Sequence, residues 1–284
     1  MRVVFMGTSL FAVPSLKALL DDAGIEVILV ATQPDRPKGR GRIVGETPVK
    51  GLALGHNLPV LQPEQLKEEG FIEVLKALVP DFIVVVAYGK ILHRVILDIP
   101  RHGCVNLHAS LLPAYRGAAP INWAIIKGEE KTGVTTMLMD EGMDTGPMLL
   151  KDEVRIGERE TALGLSERLS VEGAVLLVKT LQLLYSGKIT ALPQDSAFAS
   201  YAPILKKQDG RIDWTKSAMD IDRLVRGMHP WPSAYTSLYE RVVKVVSGMP
   251  LAYAEDIAGA RSGEVIDITD KGIKVMTGKG VFGI

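Results

Sequence analysis

The chain has 284 residues, 47% of them hydrophobic and 23% charged, with a formal net charge of +0 at pH 7. That length exceeds one ordinary domain of about 100 to 200 residues, so a large domain plus a smaller one is expected, and the composition excludes a disordered or fibrous chain. Zero net charge leaves no global field to attract nucleic acid, and the lone Cys104 excludes an intramolecular disulfide and a cysteine-built zinc site, which suits a reducing, cytoplasmic setting.

Met1 runs at once into a strand pattern, Arg2 to Met6, without the apolar core of a signal peptide. No apolar run approaches the roughly 20 residues that span a bilayer, so a soluble, unexported protein without a membrane partner is expected. Gly7-Thr8-Ser9 reads as a turn, and Leu10 to Leu20 as a helix with Ser9 as its cap. A second strand, Val27 to Thr32, follows quickly. This β-turn-α-β opening predicts an α/β fold with a doubly wound, mostly parallel, Rossmann-like sheet. Phe82 to Ala87 and Cys104 to Leu107 continue it as strands buried on both faces. The first turn carries Gly7 followed by Thr8 rather than Gly-x-Gly-x-x-Gly, which disfavours a dinucleotide cofactor.

Helices are predicted at Val49 to Gly55, Phe71 to Leu78, Pro120 to Lys127 and Thr161 to Tyr185, with a strand at Gly133 to Leu138. Ser186-Gly187-Lys188 ends the last helix, and Pro193 to Pro203 is polar and aperiodic. The expected organisation is a catalytic domain over 1–189, a linker over 190–206 and a second domain over 207–284. In the last, a helix at Ala218 to Met228 precedes short strands at Ala234 to Leu238, Val242 to Ser247, Gly263 to Ile268 and Gly272 to Thr277. Many short strands spaced by turns suggest a small, OB-like β-barrel.

The decapeptide Cys-Val-Asn-Leu-His-Ala-Ser-Leu-Leu-Pro at 104 to 113 is the best chemical clue. Strand alternation turns Cys104, Asn106 and His108 to one side. The carboxyl ends of strands in open α/β sheets are where ligands bind, and an amide beside an imidazole can polarise a carbonyl and move a proton. A polar strand end satisfied by nearby backbone is the plainer alternative. A third partner is sought in Met139 to Pro147, where glycines permit turns that bring Asp144 towards His108; otherwise Asp144 merely caps a turn. His56, His93 and His102 have no matching partners, and no His or carboxylate spacing near the site suits a metal.

A second segment stands out from Pro34 to Lys50, where Arg36, Lys38, Arg40, Arg42 and Lys50 against Asp35 and Glu46 leave a local excess of three positive charges. Its glycines and prolines argue against independent folding, and arginine forks suit phosphates and bases. The alternative is a solvated basic loop without a partner.

The chain resembles the methionyl-tRNA formyltransferase family of folate-dependent formyltransferases. The resemblance runs through Val3 to Thr8, Thr32 to Pro37, Val84 to Gly89, Asn106 to Pro113, Arg116 to Pro120, Met143 to Gly146, Ile212 to Trp214 and Pro230 to Pro232. The Asn-x-His-x-Ser-Leu-Leu-Pro element with a later Asp-Thr-Gly is shared across the folate-dependent enzymes, while the basic loop and small second domain narrow the acceptor to tRNA. The resemblance implies formyl transfer from 10-formyltetrahydrofolate to the α-amine of methionine on initiator tRNA, with Asn106, His108 and Asp144 catalytic. It further implies folate contacts at Ser110, Leu111, Leu112 and Pro113, at Tyr88, Gly89 and Leu92, and at Asp140 and Gly142, and tRNA contacts at Arg36, Lys38, Arg40 and Arg42. A cytoplasmic monomer without metal is implied. Such enzymes continue some tens of residues past Ile284, so the end of the barrel is expected to be cut short. The other readings are a folate-dependent enzyme for a small amine, such as a nucleotide sugar or glycinamide ribotide, and a non-catalytic RNA-binding protein.

Overall fold

The computed structural model describes residues 1–38, 43–252, 259–270 and 272–284. The chain opens with β1 (Arg2–Gly7), α1 (Val13–Asp21), β2 (Glu26–Ala31), β3 (Arg36–Lys38), β4 (Ile43–Gly45), α2 (Pro48–Gly55), β5 (Val60–Leu61) and α3 (Glu69–Leu78). It continues through β6 (Phe82–Val86), α4 (Arg94–Leu97), β7 (Cys104–His108), β8 (Arg116–Gly117), α5 (Pro120–Lys127), β9 (Lys131–Leu138), β10 (Met148–Arg155) and α6 (Ala162–Tyr185). After β11 (Tyr201–Ala202) and α7 (Ala218–Gly227) come β12 (Ala234–Leu238), β13 (Arg241–Val245), β14 (Met249–Leu251), β15 (Val265–Thr269), β16 (Gly272–Met276) and β17 (Val281–Gly283). By packing, 1–117, 133–154 and 166–201 form one compact unit, and 118–132, 155–165 and 202–284 form another.

The first unit is built on a seven-stranded sheet of order β10-β9-β7-β6-β1-β2-β5. Its centre is parallel, with β1 beside β2 and β6, β2 beside β5, and β6 beside β7, whereas β9 runs antiparallel to β7. The Val and Ile runs behave as a doubly covered sheet demands: Val3 to Met6 and Phe82 to Val84 are fully buried. One side of the core gathers Val4, Met6, Ile83 and Val85 with Phe71 and Leu75 of α3 and with Tyr88, Leu92 and Cys104. On α6, Gly173 allows a close approach to β7, since a Cβ there would lie 2.8 Å from Leu107 Cδ2.

Two local expectations are corrected. Ser9 makes no side-chain capping bond; Leu10–Ala12 forms a 3-10 turn, and α-geometry begins at Val13. Pro14, with its φ preset and no N–H to satisfy, favours a helix start beside itself rather than at Leu10. The basic segment is not uniformly irregular: β3 and β4 pair antiparallel, Arg36 opposite Gly45 and Lys38 opposite Ile43, which lets two stretches of backbone satisfy each other. Lys50 belongs to the first turn of α2, where Thr47 Oγ1 accepts from its backbone N–H at 3.1 Å. The edge strands β5 and β10 were not expected from the sequence, because their short or charged runs lack a clear alternation.

The second unit combines α5 and α7 with antiparallel strands in two sheets, β12-β13 and β14-β17-β16-β15. Ala218, Ile221 and Val225 along α7 pack on Ala234, Val245 and Phe282, an i, i+3, i+7 stripe facing a small core. Asp222 on the same helix is only 2% exposed, and two arginines hold it: Arg226 Nε at 2.7 Å and Arg159 Nη1 at 2.5 Å. No helix among the described residues is long and apolar enough to cross a membrane.

Candidate active site

Three polar groups meet at the end of β7. Val85 of β6 lies beside Asn106, and Thr135 of β9 lies opposite His108, so both side chains leave the sheet on the face shared with Cys104. The half-buried Asn106 donates from Nδ2 to Val85 O at 3.2 Å, while its Oδ1 is buried without a hydrogen-bond partner. His108, 7% exposed, donates from Nε2 to Tyr115 O at 3.0 Å and turns Nδ1 to Asp144 Oδ1 at 3.6 Å. Both ring nitrogens thus face oxygen atoms. Asp144 Oδ2 accepts from Gly117 N at 2.8 Å.

Asp144 reaches this position because the loop after β9 doubles back tightly. Asp140 Oδ1 accepts from Gly142 N at 3.0 Å and from Thr145 Oγ1 at 2.7 Å, closing a turn on its own side chain. A Cβ on Gly146 would sit 1.8 Å from Leu138 O, so the chain passes where only glycine fits. Between these glycines Asp144 adopts φ +54°, a left-handed conformation that costs about 1–2 kcal/mol outside glycine. The carboxylate is therefore placed by constraint.

The turn after His108 is fixed from behind. Thr135 Oγ1 donates to Ser110 O at 2.6 Å and accepts from Leu112 N at 3.1 Å, and Lys151 Nζ donates to Leu112 O. Loss of solvent pushes the Lys151 ammonium below the usual lysine range. Ser110 spends its hydroxyl on Ala114 O at 2.6 Å, and Leu112 is fully buried, which leaves Leu111 and Pro113 as the partly accessible side chains of the turn.

Of the other expected contact residues, Tyr88 and Leu92 are each 1% exposed in the sheet-side core, with Met139 packed against that core. Burial pushes the Tyr88 phenol up to about 12, and its hydroxyl has no partner. The Tyr88 carbonyl accepts from Thr8 Oγ1 at 3.0 Å and Gln33 Nε2 at 2.7 Å, and Gly89 follows at φ +83°. Asp140 and Gly142 lie on the exposed loop. Arg36 is exposed on β3, which ends at Lys38; Arg40 and Arg42 lie outside the described residues. Burial also pushes the Cys104 thiol up to about 12, so it is no nucleophile at neutral pH. Among the described residues no group of three or more His, Cys, Asp or Glu side chains could hold a metal ion.

Several groups at this site carry no sequence signal. The Tyr115 carbonyl and the Gly117 N–H act as backbone, which composition does not reveal. Gln194 comes from the aperiodic stretch read as a linker, yet its amide reaches the carbonyls of Asp144 and Gly146.

The description "Formyl transferase" fits residues 1–181 of the chain, and "Formyl transferase, C-terminal domain" fits 204–284. Fold and site together thus define a formyl-transferring enzyme with a Rossmann-like catalytic sheet and a small antiparallel β domain. Curated methionyl-tRNA formyltransferases align over nearly the full chain. That of Alkaliphilus oremlandii is 49% identical over 100% of this chain and 90% of its own. That of Clostridium perfringens is 52% identical over 99% and 90%, and that of Thermodesulfovibrio yellowstonii is 50% identical over 98% and 94%. The chain belongs to the methionyl-tRNA formyltransferase family.

Solved structures agree on the fold. An N-formyltransferase from Helicobacter canadensis, in complex with folinic acid and dTDP-3-aminofucose, superposes with a TM-score of 0.70 at 18% identity, covering 100% of this chain and 98% of its own. HypX from Aquifex aeolicus, in complex with tetrahydrofolic acid, gives a TM-score of 0.64 at 17% identity over 100% of this chain and 43% of its own. At these identities the likeness is one of fold.

Proposed function

We propose that this protein transfers the formyl group of 10-formyltetrahydrofolate to the α-amine of methionine carried by initiator tRNA, giving N-formylmethionyl-tRNA for translation initiation. The observation that carries the chemistry is the convergence of Asn106, His108 and Asp144, with His108 Nδ1 3.6 Å from Asp144 Oδ1 and Asn106 Oδ1 buried and unpartnered beside them. The acceptor rests on the full-length likeness to the curated relatives.

As the amine nitrogen bonds to the formyl carbon, the carbonyl oxygen gains negative charge. The second N–H of the Asn106 amide is available to that oxygen, because the first is committed to Val85 O. Asn106 Oδ1, lacking a donor, suits an N–H of the attacking amine. His108 holds its Nε2 proton against Tyr115 O, so giving that hydrogen bond to the reacting oxygen means sharing or exchanging an existing one. Collapse of the tetrahedral adduct breaks the bond to N10; the amine loses a proton and N10 gains one, a relay that this reading assigns to His108 and Asp144. The pterin is assigned to the region of Tyr88, Gly89, Leu92, Asp140 and Gly142, and the turn Ser110 to Pro113 to the donor's reacting end. The unpartnered Oδ1 of the half-buried Asn106 is the feature that fits a hydrogen-bonding ligand there.

For the acceptor, the reading assigns phosphate contacts to Arg36, Lys38, Arg40 and Arg42, with 1–189 as the catalytic domain, 190–206 as the connection and 207–284 as a tRNA-contacting domain, in a cytoplasmic monomer. Discharge of radiolabelled formyl from the folate onto methionylated initiator tRNA, against uncharged tRNA, tests the reaction. Asn106→Ala, His108→Ala and Asp144→Ala are each expected to lower kcat by about 10²- to 10³-fold while tRNA binding persists. Wild-type turnover in any of the three would remove that residue from the catalytic set.

A further inference from the structure

The stretch over 193–203 has no place in the chemistry above, yet it is stitched to the site. Ser200 Oγ accepts from Tyr115 N at 2.9 Å and Ser200 O accepts from Arg116 N at 2.8 Å. These bonds hold the residue whose carbonyl accepts the hydrogen bond from His108 Nε2. Six positions earlier, Gln194 reaches the carboxylate loop: its Nε2 donates to Asp144 O and to Gly146 O, both at 2.8 Å. Arg116, 3% exposed, donates Nε and Nη2 to Gln194 Oε1 at 3.0 and 2.8 Å.

The chemistry of this chain of contacts has one consistent orientation. A guanidinium only donates, so the Gln194 oxygen must face Arg116 and its nitrogen must face the loop. Both amide hydrogens then meet carbonyls, one on each side of Thr145, and the first of them is the carbonyl of the left-handed residue Asp144 itself. The two donors thus tie down the backbone of Asp144 directly, in addition to the Asp140 turn and the Gly117 N–H that hold its loop and carboxylate.

We infer that Gln194, oriented by the buried Arg116, is a positioning residue for formyl transfer that locks Asp144 at His108. The inference rests on the reading of Asp144 as a member of the catalytic site. Because displacing a reacting group by about 1 Å costs on the order of 10²-fold, loss of the lock acts on kcat rather than on substrate binding.

The test is a double-mutant cycle on the full-length enzyme, with formyl transfer from 10-formyltetrahydrofolate to Met-tRNA as readout. Gln194→Met, close in shape but without donors, is expected to lower kcat by roughly 10- to 100-fold with both KM values within about twofold of wild type. In an Asp144→Ala background the same change is expected to cost less than about twofold, because there is no carboxylate left to place. Gln194→Glu keeps an oxygen on Arg116, which protects the fold, but turns acceptors towards the two carbonyls; it is expected to show the same kcat loss and the same dependence on Asp144. Equal losses in both backgrounds, or near wild-type kcat in Gln194→Met and Gln194→Glu, overturn the inference while leaving Asp144 catalytic. If Asp144→Ala alone retains full turnover, the catalytic reading fails and the inference falls with it.

Discussion

Tyr88 is 1% exposed, and its hydroxyl lies among apolar side chains without a partner. A buried hydroxyl left unpaired costs about 1–3 kcal/mol, so it is a burden on the folded protein. Tyr88→Phe is expected to leave the stability of the enzyme unchanged or raise it by about 1 kcal/mol in urea unfolding. A clear loss of stability would show that the hydroxyl contributes to the folded state. At this scale Asn106 and His108 were legible because strand alternation is local, and Asp144 because glycines mark its turn. Gln194 was not, since its partners at Arg116 and Asp144 lie 78 and 50 positions away.

Among the elements, the basic segment is tied at its base by a cluster of side-chain hydrogen bonds. Lys50 donates to Asp35 Oδ2 and, at 2.8 Å, to Gln62 Oε1, while Gln62 Nε2 donates to Asp35 Oδ1 and to Gln33 O, both at 2.9 Å. Lys50, followed by Gln62, holds the Asp35 carboxyl below its ordinary value of 3.8. A depressed carboxylate contributes to the folded state above that ordinary value and stops doing so as pH falls through the lower folded one. Lys50→Met is therefore expected to lower Tm by an amount that stays constant from neutrality to about pH 4 and shrinks below it. A gap that already narrows between about pH 8 and about pH 6 would assign the effect to another group. The positive charge of this segment was legible; the β3-β4 pairing and the clamp beneath it were not, because the two strands are only three residues each and Asp35 finds Lys50 and Gln62 15 and 27 positions away.

For the whole molecule, the partition into compact units departs from chain order: 118–132 and 155–165 pack with 202–284 rather than with the segments that flank them in sequence. Within that second unit Asp222 gathers Arg226 from its own helix and Arg159 from the inserted 155–165 segment, and Arg159 also donates to Gly248 O at 2.5 Å. Removing one partner of a buried ion pair strands the other, at about 3 kcal/mol, the low end of the usual range because the Arg159 side chain is 48% exposed. Asp222→Ala is expected to lower unfolding free energy by about that amount, measured by urea denaturation. A loss below about 1 kcal/mol would show that solvent screens the cluster.

What the sequence by itself determined is whatever rests on short-range order: the unbroken apolar runs of the parallel sheet, the polar end of β7, the glycine-bounded loop around Asp144 and the density of positive charge after Gln33. Those properties follow from side-chain period, backbone sterics and local charge, which neighbouring residues specify. What only the tertiary structure decided is which distant groups satisfy one another: Tyr115 O on His108, Gly117 N on Asp144, and Gln194 between Arg116 and the carboxylate loop. Such pairings arise because buried hydrogen-bonding groups must find partners wherever packing brings one within about 3 Å, and that proximity is a property of the folded chain alone.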